Sequence, residues 1–244
     1  MKTALITGSS RGIGRAIALK LAHEGYNLIL NTGHDEASLI SLKEEVIGIE
    51  KREDSCLISV GDIGSSAYVQ KLISEGIDKF DSIDILINNA GISYVGLLTD
   101  MTDDDIARVI NTNLLAAIYT SRAIIPSMVH NKEGHIINIS SMWGVVGASC
   151  EAVYSATKGG LNAFTKALAK ELAPSGIQVN AITLGVIDTD MNKCFSEEER
   201  AALIEEIPIG RMGKPSEVAD LIYNMIEGPN YLTGSIIDFD GGWI

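Results

Sequence analysis

Thr3-Ala-Leu-Ile-Thr-Gly8-Ser9-Ser10-Arg11-Gly12-Ile13-Gly14 is the stretch that decides the fold. Its first residues form a short, unbroken apolar run, expected as a strand over 4–7, and the glycine turn leads into Arg15-Ala-Ile-Ala-Leu-Lys-Leu-Ala22 at helical spacing. Strand, glycine turn and helix in that order begin a strand-helix-strand unit. Glycines let the backbone turn sharply and approach a pyrophosphate, whose charge is stabilised by the amides and dipole of a helix N-terminus. The spacing Gly-x-x-x-Gly-x-Gly differs from the commoner Gly-x-Gly-x-x-Gly. A glycine loop needed only for packing is the plainer alternative, and the position between first strand and first helix favours the phosphate.

Outward from this turn the alternation continues. Apolar runs at 28–31, 56–60, 83–87, 135–139, 179–183 and 236–239 are separated by longer amphipathic segments. Continuous rather than alternating apolar strands imply a sheet covered on both faces, and strand-helix alternation implies parallel strands joined by right-handed crossovers. The expected fold is α/β: a seven-stranded, doubly wound parallel sheet with helices on both faces. The 244 residues carry no linker-like stretch or repeat, so one domain over 1–244 is expected. Ser196 with Glu199, and Thr102 ahead of Asp103, Asp104 and Asp105, read as helix caps rather than metal ligands.

Composition excludes several classes. A formal charge of −13 is unsuited to tracking phosphates along a duplex, so nucleic acid is not an expected partner. No apolar run approaches the roughly 20 residues that span a bilayer. Met1 and Lys2 lead directly into the first strand, so no signal sequence is expected. Three widely spaced cysteines, Cys56, Cys150 and Cys194, suit free thiols in a reducing cytoplasm. The four histidines, His23, His34, His130 and His135, show no metal-ligand spacing, and no metal is expected.

Candidate site residues fall at strand ends. The second strand ends Asn31-Thr32-Gly33-His34, without the carboxylate that would accept from the 2′-hydroxyl of NAD. With Arg11 in the first turn, this favours the 2′-phosphate of NADP, with His34 a further contact or merely a loop residue. Asp62, before Ile63 at the end of the third strand, is either an acceptor for an adenine amine or a helix cap. Asn88-Asn89-Ala90-Gly91 ends the fourth strand, where ligands bind in such sheets, or else fastens neighbouring loops. Asn111-Thr-Asn113 interrupts an apolar helical run and marks a functional amide or a kink. Finally, Tyr154 and Lys158 lie four apart on a helix expected over 153–172, downstream of Ser140 and Ser141. That spacing puts phenol and ammonium on one face, where the cation would favour the phenolate; alone, the pair reads equally as a packing ring and a solvated charge.

Gly8, Gly12, Gly14, Asn88 to Gly91, Asn113, Ser141, Tyr154 and Lys158, in this order, resemble the short-chain dehydrogenase/reductases along essentially the whole chain. The resemblance implies a Rossmann-like fold that binds NADP(H) through Gly8, Ser10, Arg11, Gly12, Ile13, Gly14, His34, Asp62, Ile63, Asn89, Ala90 and Gly91. Tyr154 would be the acid for a carbonyl oxygen, Ser141 its hydrogen-bond partner, Lys158 the holder of the nicotinamide ribose that lowers the Tyr154 pKa, and Asn113 the support of a proton-reloading water. Ile187 and Thr189 would face the nicotinamide amide. Leu184-Gly185 stands where the family usually has Pro-Gly, a change expected to loosen the turn. A substrate lid is expected over about 186–212, with Met191, Phe195 and Ile207, and the last strand and tail are commonly buried in a homotetramer.

Within the family the likeness is to bacterial 3-oxoacyl-[acyl-carrier-protein] reductases. Their carrier is acidic, so a basic patch near the pocket is expected; Lys132, His130 and His135 are candidates, while Ser175 replaces a frequent arginine. The segment containing Trp143, Cys150 and Glu151 also looks like reductases of the aminopentanone group of modified elongation factor P, with Trp143 and Glu151 facing a cation. The expectation is NADPH-dependent reduction of a ketone, a small molecule or one held on a carrier protein. A cofactor-sensing protein without turnover is the alternative from another class.

Overall fold

The computed structural model describes residues 1–190 and 196–244. Its strands are β1 (Thr3–Ile6), β2 (Asn27–Thr32), β3 (Cys56–Val60), β4 (Ile85–Asn88), β5 (Gly134–Ser141), β6 (Ile177–Leu184) and β7 (Ile236–Phe239). They form one parallel sheet in the order β3-β2-β1-β4-β5-β6-β7, the doubly wound Rossmann-like arrangement. The helices are α1 (Gly12–His23), α2 (Glu36–Glu50), α3 (Ser66–Phe80), α4 (Asp103–Ile110), α5 (Ala116–Asn131), α6 (Trp143–Val146), α7 (Ala152–Leu172), α8 (Glu197–Glu206) and α9 (Pro215–Ile226).

Successive strand residues serve opposite faces. Ala4, Ile6, Leu28, Leu30, Ile85 and Ile87 pack under α1, α2 and α9, whereas Leu5, Ile29, Leu86 and Ile136 pack under α3, α5 and α7. Both faces are covered, which is why the strands read as continuous apolar runs. Both expected capping boxes form, Thr102 with Asp105 on α4 and Ser196 with Glu199 on α8.

Three local expectations are corrected. The fourth strand begins at Ile85 rather than at 83, because the Asp84 carboxylate takes the Thr3 N–H at 2.7 Å. β5 and β6 each run eight residues, since they pair along their whole length from Gly134 with Ile177 to Ser141 with Leu184. Leu184 does not loosen the turn: it remains in β6, paired with Ser141 on one side and Phe239 on the other.

Candidate functional site

The strand order reverses between β1 and β4, and in such sheets the crevice outside their carboxyl ends receives ligands. Here the two ends are stitched together. Thr7 Oγ1 accepts from the Asn89 and Ala90 amides, both at 3.0 Å, and Asn89 Nδ2 donates to the carbonyls of Thr7 and Gly8, also at 3.0 Å. Asn89 thus fastens loops and lines the cleft at once. Gly14 lies behind the turn, where a Cβ would collide with Gly8 O and Asn89 Nδ2. Gly12 has φ 56°, a left-handed conformation that glycine adopts freely.

From this seam a cleft of about 1170 Å³ extends both ways. One arm is lined by Arg11, Gly12, Ile13, His34, Asp62 and Ile63. The residues fit a dinucleotide. At the N-terminus of α1, Arg11 makes no side-chain capping bond and the first turn holds no acid, so the helix dipole there is not offset by a local carboxylate. Ser10 is buried, its hydroxyl 3.2 Å from Thr32 Oγ1. Asp35 caps α2 by accepting from Ser38 N at 3.1 Å; bonds from Ser38 hold its pKa below the usual range, with help from Arg11 and His34. Asp62 accepts from Gly64 N at 2.8 Å, whereas the cap of α3 is Ser65, which removes the helix-cap reading of Asp62.

The other arm brings Ser141, Tyr154 and Lys158 together, from the end of β5 and the first turns of α7. Alternation along β5 turns Ser140 away from Ser141: its hydroxyl donates to the Lys158 carbonyl at 3.3 Å and fastens strand to helix. Ser141 Oγ accepts from Trp143 N at 3.2 Å. Lys158 is 4% exposed; its Nζ donates to Ile139 O at 2.8 Å and stands 5.7 Å from the Tyr154 ring centroid. Burial pulls the Lys158 pKa down to about 8. Burial also pushes Tyr154 up to about 12, against a lowering by the Ser141 hydroxyl and with a further rise from the Glu151 carboxylate. In the chain alone, burial therefore outweighs the expected lowering of Tyr154 by Lys158, whose Nζ is directed to Ile139 O. At neutral pH the chain holds a protonated phenol at the cleft wall.

Asn113 does not line this arm. It sits in a π-turn over Asn111–Leu115 between α4 and α5. Its Oδ1 accepts from Ile92 N and its Nδ2 donates to Ile92 O, both at 2.8 Å, with Thr157 Oγ1 at 3.3 Å. The kink reading holds, since the helix is distorted there, and the amide clamps the loop after β4.

The family model for short chain dehydrogenases matches residues 2–200. The chain belongs to this family. It is 39% identical over 246 residues to an uncharacterized oxidoreductase, YmfI, of Bacillus subtilis, covering 99% of this chain and 98% of that protein. The 3-oxoacyl-[acyl-carrier-protein] reductase FabG of Staphylococcus aureus is 38% identical over 242 residues, covering 99% and 97%. That of Thermotoga maritima is 36% identical over 244 residues, covering 100% and 98%.

Trp143, Glu151, Ser93 and Val95 also line the cleft. Glu151 is half-buried, accepts from Ser93 Oγ at 3.1 Å, and has its pKa raised by burial. Ser93 and Arg108, which both line the cleft, were not singled out from the sequence, where nothing distinguishes them from a loop hydroxyl and an ordinary helix charge. Cys150 is corrected: it is not a lining residue, and its carbonyl, at φ 62°, instead accepts from Gly96 N at 2.8 Å. The basic patch is also corrected. His130, Lys132 and Ser175 lie at the amino edge of the sheet with His135, which is buried and has its pKa lowered by that burial. His135 is six residues before Ser141, about 20 Å along β5 from that hydroxyl. Of the expected lid, Val186, Ile187 and Thr189 line the cleft and Ile207 is buried, whereas Met191 and Phe195 lie outside the described residues. Among the described residues no helix is long and apolar enough to cross a membrane.

Proposed function

We propose that this chain reduces a ketone to a secondary alcohol with NADPH, and that its substrate is a 3-oxoacyl thioester on acyl carrier protein. The observation that carries the reaction is the convergence of Ser141, Tyr154 and Lys158 at one end of a cleft whose other end is the glycine turn. Relatives named 3-oxoacyl-[acyl-carrier-protein] reductase support the substrate. Arg11, Ser10 and His34 would hold the 2′-phosphate side, Gly8, Gly12, Ile13 and Gly14 the pyrophosphate turn, and Asp62 and Ile63 the adenine. Asn89, Ala90 and Gly91 line the middle, Lys158 meets the nicotinamide ribose, and Ile187 and Thr189 meet its amide.

The bound cofactor supplies a hydride to the carbonyl carbon. Ser141 orients the carbonyl oxygen by a hydrogen bond, and the Tyr154 hydroxyl gives its proton to that oxygen as the C=O pair becomes an alkoxide. Burial suits Tyr154 to this task by keeping it protonated until charge develops. Lys158 then stabilises the phenolate, and Asn113 holds the turn through which the proton is replaced. No step needs a metal ion. The chain would work as one catalytic domain in a cytoplasmic homotetramer.

Tyr154→Phe should lower kcat by about 100-fold or more while NADPH still binds, measured by NADPH oxidation and by cofactor titration. Undiminished turnover would reject the assignment. One observation favours a second substrate. Glu151 places a half-buried carboxylate, which accepts from the Ser93 hydroxyl, on the cleft wall with Trp143. A ketone bearing an ammonium, such as the aminopentanone group of modified elongation factor P, would satisfy it. Comparing kcat/KM for carrier-protein, acyl-CoA and aminopentanone substrates decides between the two.

A further inference from the structure

The 244 residues contain two tryptophans, and the fold brings them together edge to face, with ring centroids 6.0 Å apart and planes at 68°. Trp143 lines the cleft next to Ser141; Trp243 does not line it and meets Trp143 from outside. The segment that carries Trp243 is built to hold it there. Asp240 uses both carboxylate oxygens, accepting from Gly242 N at 2.8 Å and Ile244 N at 2.9 Å. Gly241 and Gly242 supply successive φ values of 73° and 86°, which suit glycine. Gly241 O accepts from Ile209 N at 3.2 Å, and a Cβ on Gly241 would lie 2.8 Å from Ile207 and Ile209. The segment crosses Gly185 so closely that a Cβ there would lie 2.7 Å from Asp240 Cα.

Trp143 lies on a four-residue helix, α6, whose backbone is docked on α7 at Gly144 and whose Val145 and Val146 are exposed, and the ring it meets edge to face is that of Trp243. We infer that Trp243 is a positioning residue: through Trp143 it sets the width of the substrate end, and so selects ketones by the size of the group beyond the carbonyl. The selection part rests on the ketone-reductase reading above.

Trp243→Ala and Trp243→Phe are compared with the parent, using NADPH and 3-oxoacyl thioesters of N-acetylcysteamine with short and long acyl chains. An edge-to-face pair is worth a factor of about three to ten. The Ala variant should raise KM for short ketones by that factor with a smaller change in kcat, which reduces the preference for short over long chains, and Phe should restore most of it. An Ala variant with the parental KM and size preference overturns the inference. So does a joint loss of kcat, NADPH affinity and Tm that Phe does not recover, because that is a merely structural role. If the Ala variant does not fold, the smaller ring of the Phe variant should shift the short-to-long KM ratio part-way, and an unchanged ratio overturns the inference. If the parent reduces no ketone, the reductase reading falls instead. The brace is then read by acrylamide quenching of Trp143: stronger quenching in the Ala than in the Phe variant supports it, and equal quenching overturns it.

Discussion

Lys158, proposed to hold the nicotinamide ribose, is buried at the expense of stability. It carries an ammonium to a place that is 4% exposed, with Ile139 O as its hydrogen-bond acceptor. The unfolded chain titrates Lys158 near 10.5 and the fold near 8, so between these values the unfolded state binds more protons and stability rises with pH. Below about pH 8 the folded protein bears the whole cost of a buried charge, on the order of 1–3 kcal/mol. Lys158→Met should therefore be more stable than the parent at pH 7 by about that amount and have little turnover. The gain should fade as pH rises towards 10.5. Urea denaturation at several pH values measures this, and a Met variant less stable at pH 7 would show that the bond to Ile139 outweighs desolvation.

At the scale of elements, a buried polar chain sets the register of the pieces that carry the site. Thr120 of α5 donates to Asn88 Oδ1 at 2.6 Å, Asn88 of β4 donates to Asn138 Oδ1 at 2.8 Å, and Asn138 of β5 donates to Thr165 Oγ1 of α7 at 2.8 Å. Asn138→Ala leaves Asn88 Nδ2 only its longer bond to Ser121 Oγ at 3.4 Å and Thr165 Oγ1 only its bond to Leu161 O at 2.8 Å, and should cost about 1–2 kcal/mol by denaturant titration. A second lock is the π-turn, where Asn113 serves both polar groups of the Ile92 backbone. Asn113→Ala should lose about 1–3 kcal/mol and lower kcat about tenfold or more, with the larger effect on turnover. A fall in stability with kcat intact would make the amide a loop fastener only. In the sequence, Asn113 was visible as a polar interruption of an apolar helix, whereas Asn138 was hidden inside an apolar strand and only its cross-sheet partners explain it.

For the whole molecule, the doubly wound sheet places every proposed cofactor contact at one edge. A ligand that binds only the folded state at about a hundred times its Kd adds ~2.7 kcal/mol. For a chain of this length that corresponds to a rise in Tm of about 5–10 °C. Saturating NADPH should produce such a rise, and NADH at the same concentration a smaller one, if Arg11 and His34 meet a 2′-phosphate as proposed. Equal shifts would remove the preference. The sheet was legible from the apolar runs because burial on both faces leaves a continuous signal, while strand ends shifted by one or two residues where Asp84 and the β5–β6 ladder decided them.

By itself the sequence determined the strand-helix alternation, the glycine turn, the caps and the order of the Ser, Tyr and Lys residues, because these are local patterns whose physics acts within a few residues. Tertiary structure alone decided that Tyr154 is held protonated rather than drawn to the phenolate, that Cys150 is outside the cleft, and that His135 faces the opposite sheet edge. It also decided that Trp243 reaches Trp143. Burial, field and distance arise between segments far apart in the chain, and no spacing within one segment encodes them.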